Sequence, residues 1–179
     1  MIRRVVAMAG LSVLVVQAAL AEGDPLAEAM ARNPQRFEAR MIDLIAGFGG
    51  PDGAQAQDIE AHIALERAGA RATALRRFLA MDLDADGAVT RQELAVSQRA
   101  ASASGRGRME RQFVMADADA SGTLDADEIA AAARTASLQA LDEDEATLLR
   151  ALMRLDADGN GVLSVAEVTA AVDRLDQAG

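Results

Sequence analysis

Apolar residues recur at helical spacing along most of this chain. Phe37, Met41, Leu44 and Ile45 mark one face of a helix running from Gln35 to about Ala46. A Gly-rich break, Gly47 to Gly53, follows. Ile59, Ile63, Leu65, Leu75, Phe78 and Leu79 then predict a long helix from Asp58 to Met81. Three times an apolar pair spaced i, i+3 stands before a polar stretch: Phe78 and Met81, Phe113 and Ala116, Leu152 and Leu155. Each polar stretch ends on an apolar residue that opens a new stripe, namely Leu94, Ile129 and Val168. With Ala, Leu, Arg and Glu abundant and β-branched runs scarce, the pattern predicts an all-α chain of helix–loop–helix units. Residues 22–35 read as a loose leader, helical around Leu26–Ala31. Residues 102–108, containing Ser102, Ser104, Gly105 and Gly107, read as a linker between a unit at 36–101 and a unit at 109–179. Asp142 followed by Glu145 resembles a capping box that starts a later helix.

The N-terminus follows a different logic. Arg3 and Arg4 precede an apolar run from Val5 to Val16, and Ala19-Leu20-Ala21 supplies small residues before Glu22. This order predicts a secretory signal peptide over residues 1–21, cleaved after Ala21. Interrupted by Gln17, the run falls short of the roughly 20 residues a membrane span needs. The expectation is an exported protein, periplasmic or secreted, with no membrane segment after cleavage.

The three polar stretches repeat one 12-residue chemistry, beginning 35 and then 39 residues apart: 82–93, 117–128 and 156–167. Position 1 is Asp82, Asp117 or Asp156, and position 3 is Asp84, Asp119 or Asp158. Position 5 is Asp86, Ser121 or Asn160, and position 6 is Gly87, Gly122 or Gly161. Position 9 is Thr90, Asp125 or Ser164, and position 12 is Glu93, Glu128 or Glu167. A hard cation such as Ca²⁺ takes 6–8 oxygen ligands at about 2.3–2.6 Å. Short oxygen side chains at positions 1, 3 and 5 supply them, and Gly at position 6 permits the sharp turn. Position 7, here Ala88, Thr123 or Val162, lends a backbone carbonyl. Position 9 holds a side chain that often acts through a water, and the Glu at position 12 reaches back with two oxygens. Position 8 is apolar in every loop: Val89, Leu124 or Leu163.

On these residues, from about 70 to 175, the chain resembles the EF-hand family, of the kind many bacteria export. The resemblance implies helix–loop–helix hands packed in pairs, with short β contacts between paired loops and up to three Ca²⁺ ions. Hands pair, and three is an odd number, so the segment 36–66 is the candidate for a degenerate fourth hand. Taking Ile59 as its position 8 makes Asp52 position 1, with Ala54, Ala56, Gln57 and Ile63 at positions 3, 5, 6 and 12. Such a loop holds no calcium. The expected pairing joins this degenerate hand to the loop at 82–93 and the second loop to the third. The alternative pairs the first loop with the second and leaves the third to pair across a dimer.

Composition narrows the remaining choices. The 179 residues include 28 acids, 18 basic residues (all Arg), one His and no Cys, Trp or Tyr. Without Cys there are no disulfides, thiolate metal sites or Cys nucleophile. One His, with no nucleophile motif, reads against an enzyme, and an acidic balance without Tyr or Trp reads against nucleic acid. His62 reads as structural or exposed. Met81, Met109 and Met153 sit at core-like positions. The loops hold 12 of the 28 acids and a single Arg, so most of the charge belongs to them. Loop acids number four, five and three in chain order, so the third loop should bind most weakly. The expected function is a calcium buffer, structural module or sensor without catalysis. The alternative is a calcium-dependent adaptor for a cell-envelope protein.

Overall fold

The computed structural model describes residues 24–177; the segment read as a signal peptide, 1–21, lies outside them. Among the described residues there are eight α-helices. These are α1 Pro25–Arg32, α2 Pro34–Phe48, α3 Ala56–Leu79, α4 Arg91–Arg99, α5 Ala103–Ala116, α6 Ala126–Ala140, α7 Glu143–Ala151 and α8 Val165–Asp176. A short 3-10 turn, Leu152–Leu155, extends α7, and two two-residue strands, β1 Val89–Thr90 and β2 Thr123–Leu124, complete the set. The all-α fold class expected from the periodicity holds, and α2 and α3 fall within two residues of their predicted limits. None of the described helices is long and apolar enough to cross a membrane.

The pairing of hands is nested rather than sequential. β1 pairs antiparallel with β2, Val89 opposite Leu124 and Thr90 opposite Thr123, so the first and second loops are partners. The third loop meets the degenerate hand through an antiparallel bridge between Ala54 and Leu163. The expected pairing of the degenerate hand with the first loop, and of the second with the third, is therefore corrected. The alternative had the first two loops right, but the partner of the third lies in the same chain. Helix α3 gives the reason. Its 24 residues run unbroken from the degenerate loop to the first loop, which at 1.5 Å per residue holds the two about 36 Å apart. Helices α4 and α5 are instead joined by only Ala100–Ser102 and fold back on each other, which lets the first and second loops meet.

Two cores follow from this nesting. One gathers Leu26, Met30, Met41, Leu44, Ile59 and Ile63 with Leu149, Leu152, Leu163 and Val168. The other gathers Phe78, Met81, Val89, Leu94, Phe113, Leu124 and Ile129. Helix α3 serves both, Ile59 and Ile63 in the first and Phe78 in the second, and packs along α6 between them. Met81 is buried, and Met109 and Met153 pack against the cores.

Two expectations about connecting segments are corrected. Residues 25–32 are not a loose leader: α1 is capped by Asp24, has Pro25 at its first position, and buries Leu26 and Met30 completely. Spaced i, i+4, these two side chains point to one face and enter the first core. Arg154 secures the start of α1, donating to both Asp24 oxygens at 2.7 and 2.8 Å. Nor do residues 102–108 form a linker. Ser102 caps α5 by accepting from the Gly105 amide at 3.2 Å, and the helix runs through both glycines. At α7, Asp142 caps as expected, accepting from Glu145 N at 2.7 Å, but the Glu145 carboxylate pairs with Arg40 instead of closing the box.

Candidate metal sites

Each loop turns on backbone that few residues adopt. Gly87, Gly122 and Gly161 have φ of 88°, 81° and 83°, the positive values expected at position 6. Position 4 is also left-handed in every loop: Ala85 at 61°, Ala120 at 57° and Gly159 at 72°. The sequence reading missed this second bend, because Ala at two of the three positions disguises it. The two bends turn the amides of the loop inward onto its own carboxylates. Asp82 accepts from Gly87 N at 3.0 Å, Asp117 from Gly122 N at 3.1 Å and Asp156 from Gly161 N at 2.8 Å. The position 3 and 5 side chains add the same kind of local bond, as Asp119 does with Ser121 N at 2.9 Å.

The position 12 glutamates do two jobs. Glu93 Oε1 accepts from Leu83 N, Glu128 Oε1 from Ala118 N and Glu167 Oε1 from Ala157 N, each at 2.8 Å. The other oxygen returns to the residue at position 9: Glu93 to Thr90 N at 2.7 Å, Glu128 to Asp125 N at 3.3 Å and Glu167 to Ser164 N at 3.0 Å. Thr90, Asp125 and Ser164 are in turn the N-caps of α4, α6 and α8, each closing a capping box with its glutamate. Thus the residues assigned to positions 9 and 12 start the exiting helix and tie it to the front of the loop.

Carboxylate oxygens converge in all three loops. Asp82, Asp84 and Asp86 form one group, Asp117, Asp119 and Glu128 a second, and Asp156, Asp158 and Glu167 a third, with ligand atoms within 4.8 Å of one another. Asp82 Oδ1 is buried without a hydrogen-bond partner. Oxygens this close repel one another, and a cation is the group that relieves them. The donor set is all oxygen, which suits Ca²⁺ and not a soft metal. The neutral members predicted for the loops, Ser121, Asn160, Thr123, Val162 and Ala88, lie in the same loops, Thr123 at the start of β2.

Local hydrogen bonds favour the charged form of four loop carboxyls, Glu93, Asp119, Asp156 and Glu167. The backbone N–H groups of Thr90 and then Leu83 keep Glu93 below the usual carboxylate range. The Ser121 amide does the same for Asp119, and the Gly161 amide for Asp156. Burial pushes Glu167 upward, but the Ser164, Ala157 and Asp158 bonds together outweigh it and leave it lowered.

The segment read as a degenerate hand takes a register that its bridge defines. Ala54 sits opposite Leu163, so Ala54, not Ile59, takes the place of position 8. Gln55 and Asp58 then fall at positions 9 and 12, and Asp58 accepts from Gln55 N at 2.8 Å, as the glutamates do in the other loops. The expected register was five residues too late, because Ile59 is an apolar residue of the exiting helix. Counting back from Ala54, positions 1, 3 and 5 are Gly47, Gly49 and Pro51, so this loop has no side-chain oxygens there. His62 is half-buried, with its ring edge-on to Phe48 at 4.8 Å between centroids.

An arginine that sequence reasoning passed over binds the first pair together. Arg91, at position 10 of the first loop, lies over the Phe113 ring, 4.3 Å from its centroid, and pairs with Glu110. Its amide donates to Gly122 O of the second loop at 3.1 Å.

The EF hand family model matches the chain at residues 75–96 and 109–131, which contain the first and second loops. No curated protein and no solved structure matches. The two matched segments, with the acidic groups of the loops, support an EF-hand calcium-binding family.

Proposed function

We propose that this is an exported calcium-binding protein without catalysis, holding one ion in each of three loops. The observation that carries it is the convergence of three carboxylates within 4.8 Å in every loop, including the third, which lies beyond the matched segments. The ligands would be the side chains at positions 1, 3, 5, 9 and 12 and the carbonyls of Ala88, Thr123 and Val162. The Glu at position 12 favours Ca²⁺ over Mg²⁺, because a bidentate carboxylate suits the larger ion. Its hold on both the front of the loop and the exiting helix would make binding stabilise the fold, the role of a structural or buffering module. Calorimetric titration with Ca²⁺ should give three sites. Loss of one site each in Glu93→Gln, Glu128→Gln and Glu167→Gln is the expected result, and no heat at millimolar Ca²⁺ would refute the proposal.

Export rests on the residue order Arg3-Arg4, Val5–Val16 and Ala19–Ala21. Mass spectrometry of the protein recovered outside the cytoplasm should find Glu22 at its start; a chain still beginning at Met1 would sink cleavage after Ala21, and recovery from the cytoplasm alone would sink export.

A further inference from the structure

The half of the molecule built on the first two loops segregates its charge. Between residues 67 and 141, outside those loops, the chain carries nine arginines and one acid, Glu110. Glu110 is already taken by Arg91. Of the nine, Arg67 is engaged by Leu141 O and Glu143, and the other eight are exposed. The remainder of the described chain is the reverse. Outside the third loop, residues 24–66 and 142–177 hold 14 acids against six arginines. The chain as a whole is acidic, and that balance conceals a strongly cationic helical surface.

This surface is not flat. Helices α3, α5 and α6 enclose a groove of about 180 Å³ with an apolar floor that includes Ala74, Phe78, Ala132 and Ala136. Met115 stands at its mouth, 78% exposed. Arg77 lines it directly, and Arg71 lies two turns back along α3 on the Ala74–Phe78 stripe. On α5, Arg108 and Arg111 precede Gln112 and Met115 at i+4, which sets both on the groove side. The apolar floor is thus flanked by arginines of both α3 and α5, Arg77 at its edge and Arg71, Arg108 and Arg111 within two turns of it.

We propose that this groove docks an acidic amphipathic helix of a partner protein, with apolar side chains on the floor and carboxylates on the arginine rims. A concave apolar floor takes side chains projecting from a helix, which a planar headgroup surface does not supply. Nucleic acid finds no Tyr or Trp to stack on in this chain. Guanidinium groups match carboxylates in paired geometry, and a rim of one sign rejects basic helices. All four rim arginines lie outside the loops, so the surface does not rest on the calcium reading.

The test uses the full chain in excess Ca²⁺ and a fluorescein-labelled synthetic helix with Leu at i, i+3, i+4 and i+7 and Glu elsewhere. Its controls are the same peptide with Lys for Glu, an order-scrambled acidic peptide, phosphatidylglycerol vesicles and a single-stranded oligonucleotide. The acidic amphipathic peptide should bind at least tenfold more tightly than either peptide control, and less tightly as salt rises. Arg77→Glu combined with Arg111→Glu should weaken it at least tenfold, whereas the Arg77→Lys and Arg111→Lys pair should retain most of it. Calcium calorimetry on the same variants reads the loops separately. No peptide binding, equal binding of the Lys or scrambled peptide, or indifference to charge reversal would overturn the proposal. Capture of vesicles, oligonucleotide or a second copy in preference to the peptide would overturn it too.

Discussion

Ala54 and Leu163 exchange both backbone hydrogen bonds, Ala54 N to Leu163 O at 3.0 Å and Leu163 N to Ala54 O at 2.7 Å. This bridge joins a loop without side-chain oxygens at positions 1, 3 and 5 to one that has them. Gly53 makes the approach possible. It has φ of 138°, and a Cβ there would lie 2.4 Å from Leu163 O. Gly53→Ala should therefore open the bridge and cost about 2 kcal/mol or more, from overpacking and backbone strain together. Thermal unfolding measures the cost. Calcium calorimetry should show the third site weakened and the first two unchanged, since those pair with each other.

The glutamates at position 12 make two separable contributions. Glu→Gln at 93, 128 or 167 keeps an oxygen that accepts from the residue at position 9, so the helix cap survives while the charge proposed to bind the ion is lost. Glu→Ala removes both and should cost about 1 kcal/mol more than Glu→Gln in the calcium-free protein. Comparing unfolding in chelator for the two substitutions at one position separates the cap from the site. Equal stability would mean that the capping box contributes nothing.

Position 4 of the loops tests backbone strain without touching a ligand. Ala85 and Ala120 hold the left-handed conformation that Gly159 takes freely, at a cost of roughly 1–2 kcal/mol each. Nothing lies within 4 Å of a Cβ added at Gly159. Gly159→Ala should thus destabilise by about 1 kcal/mol through backbone alone. Ala85→Gly or Ala120→Gly should stabilise by a smaller amount, because Gly also loosens the unfolded chain. Denaturant midpoints of the three variants check both signs.

The local chemistry of the hands was legible in the sequence because it is written within 12 residues: short oxygens, one glycine, one long glutamate. The apolar pairs Phe78–Met81, Phe113–Ala116 and Leu152–Leu155 likewise located the entering helices. What was not legible is long-range. Which loops pair depends on α3 staying straight for 24 residues and on Ser102 starting a helix, and neither leaves a mark at the loops. Ile59 misled the register of the degenerate hand because a helix stripe and a loop contact both ask for an apolar residue. Arg91 was invisible for a similar reason, since a position 10 arginine declares itself only once Phe113 lies beneath it.

Arg91→Ala should uncouple the first two hands. The substitution removes the guanidinium from the Phe113 ring and from Glu110 while leaving the backbone bond from residue 91 to Gly122 O in place. The expected loss is about 1 kcal/mol: 0.5–1 for an exposed cation–π contact and little for an exposed ion pair. Lys at this position should recover only part, since it cannot stack a planar group on the ring. Unfolding of Arg91→Ala that matches the parent protein would show that the stacked geometry is incidental.

Acid should destabilise the calcium-free fold, and the sign follows from three cross-helix pairs. Arg154 holds Asp24 below its ordinary value, Arg150 does so for Glu60, and Arg91 for Glu110. In each case the unfolded chain takes up a proton at a higher pH than the folded one. The contribution of these pairs is therefore complete above the ordinary carboxylate range, near about pH 4, and is lost as pH falls through the lowered folded values. Thermal unfolding in chelator from pH 6 down to pH 3 should show a midpoint that falls on acidification. Asp24→Asn removes one titrating carboxyl and the Arg154 charge pair, so its curve should start lower at pH 6 and converge on the parent at the acid end. Parallel curves across the whole range would mean that the Asp24–Arg154 pair does not couple α1 to the third hand.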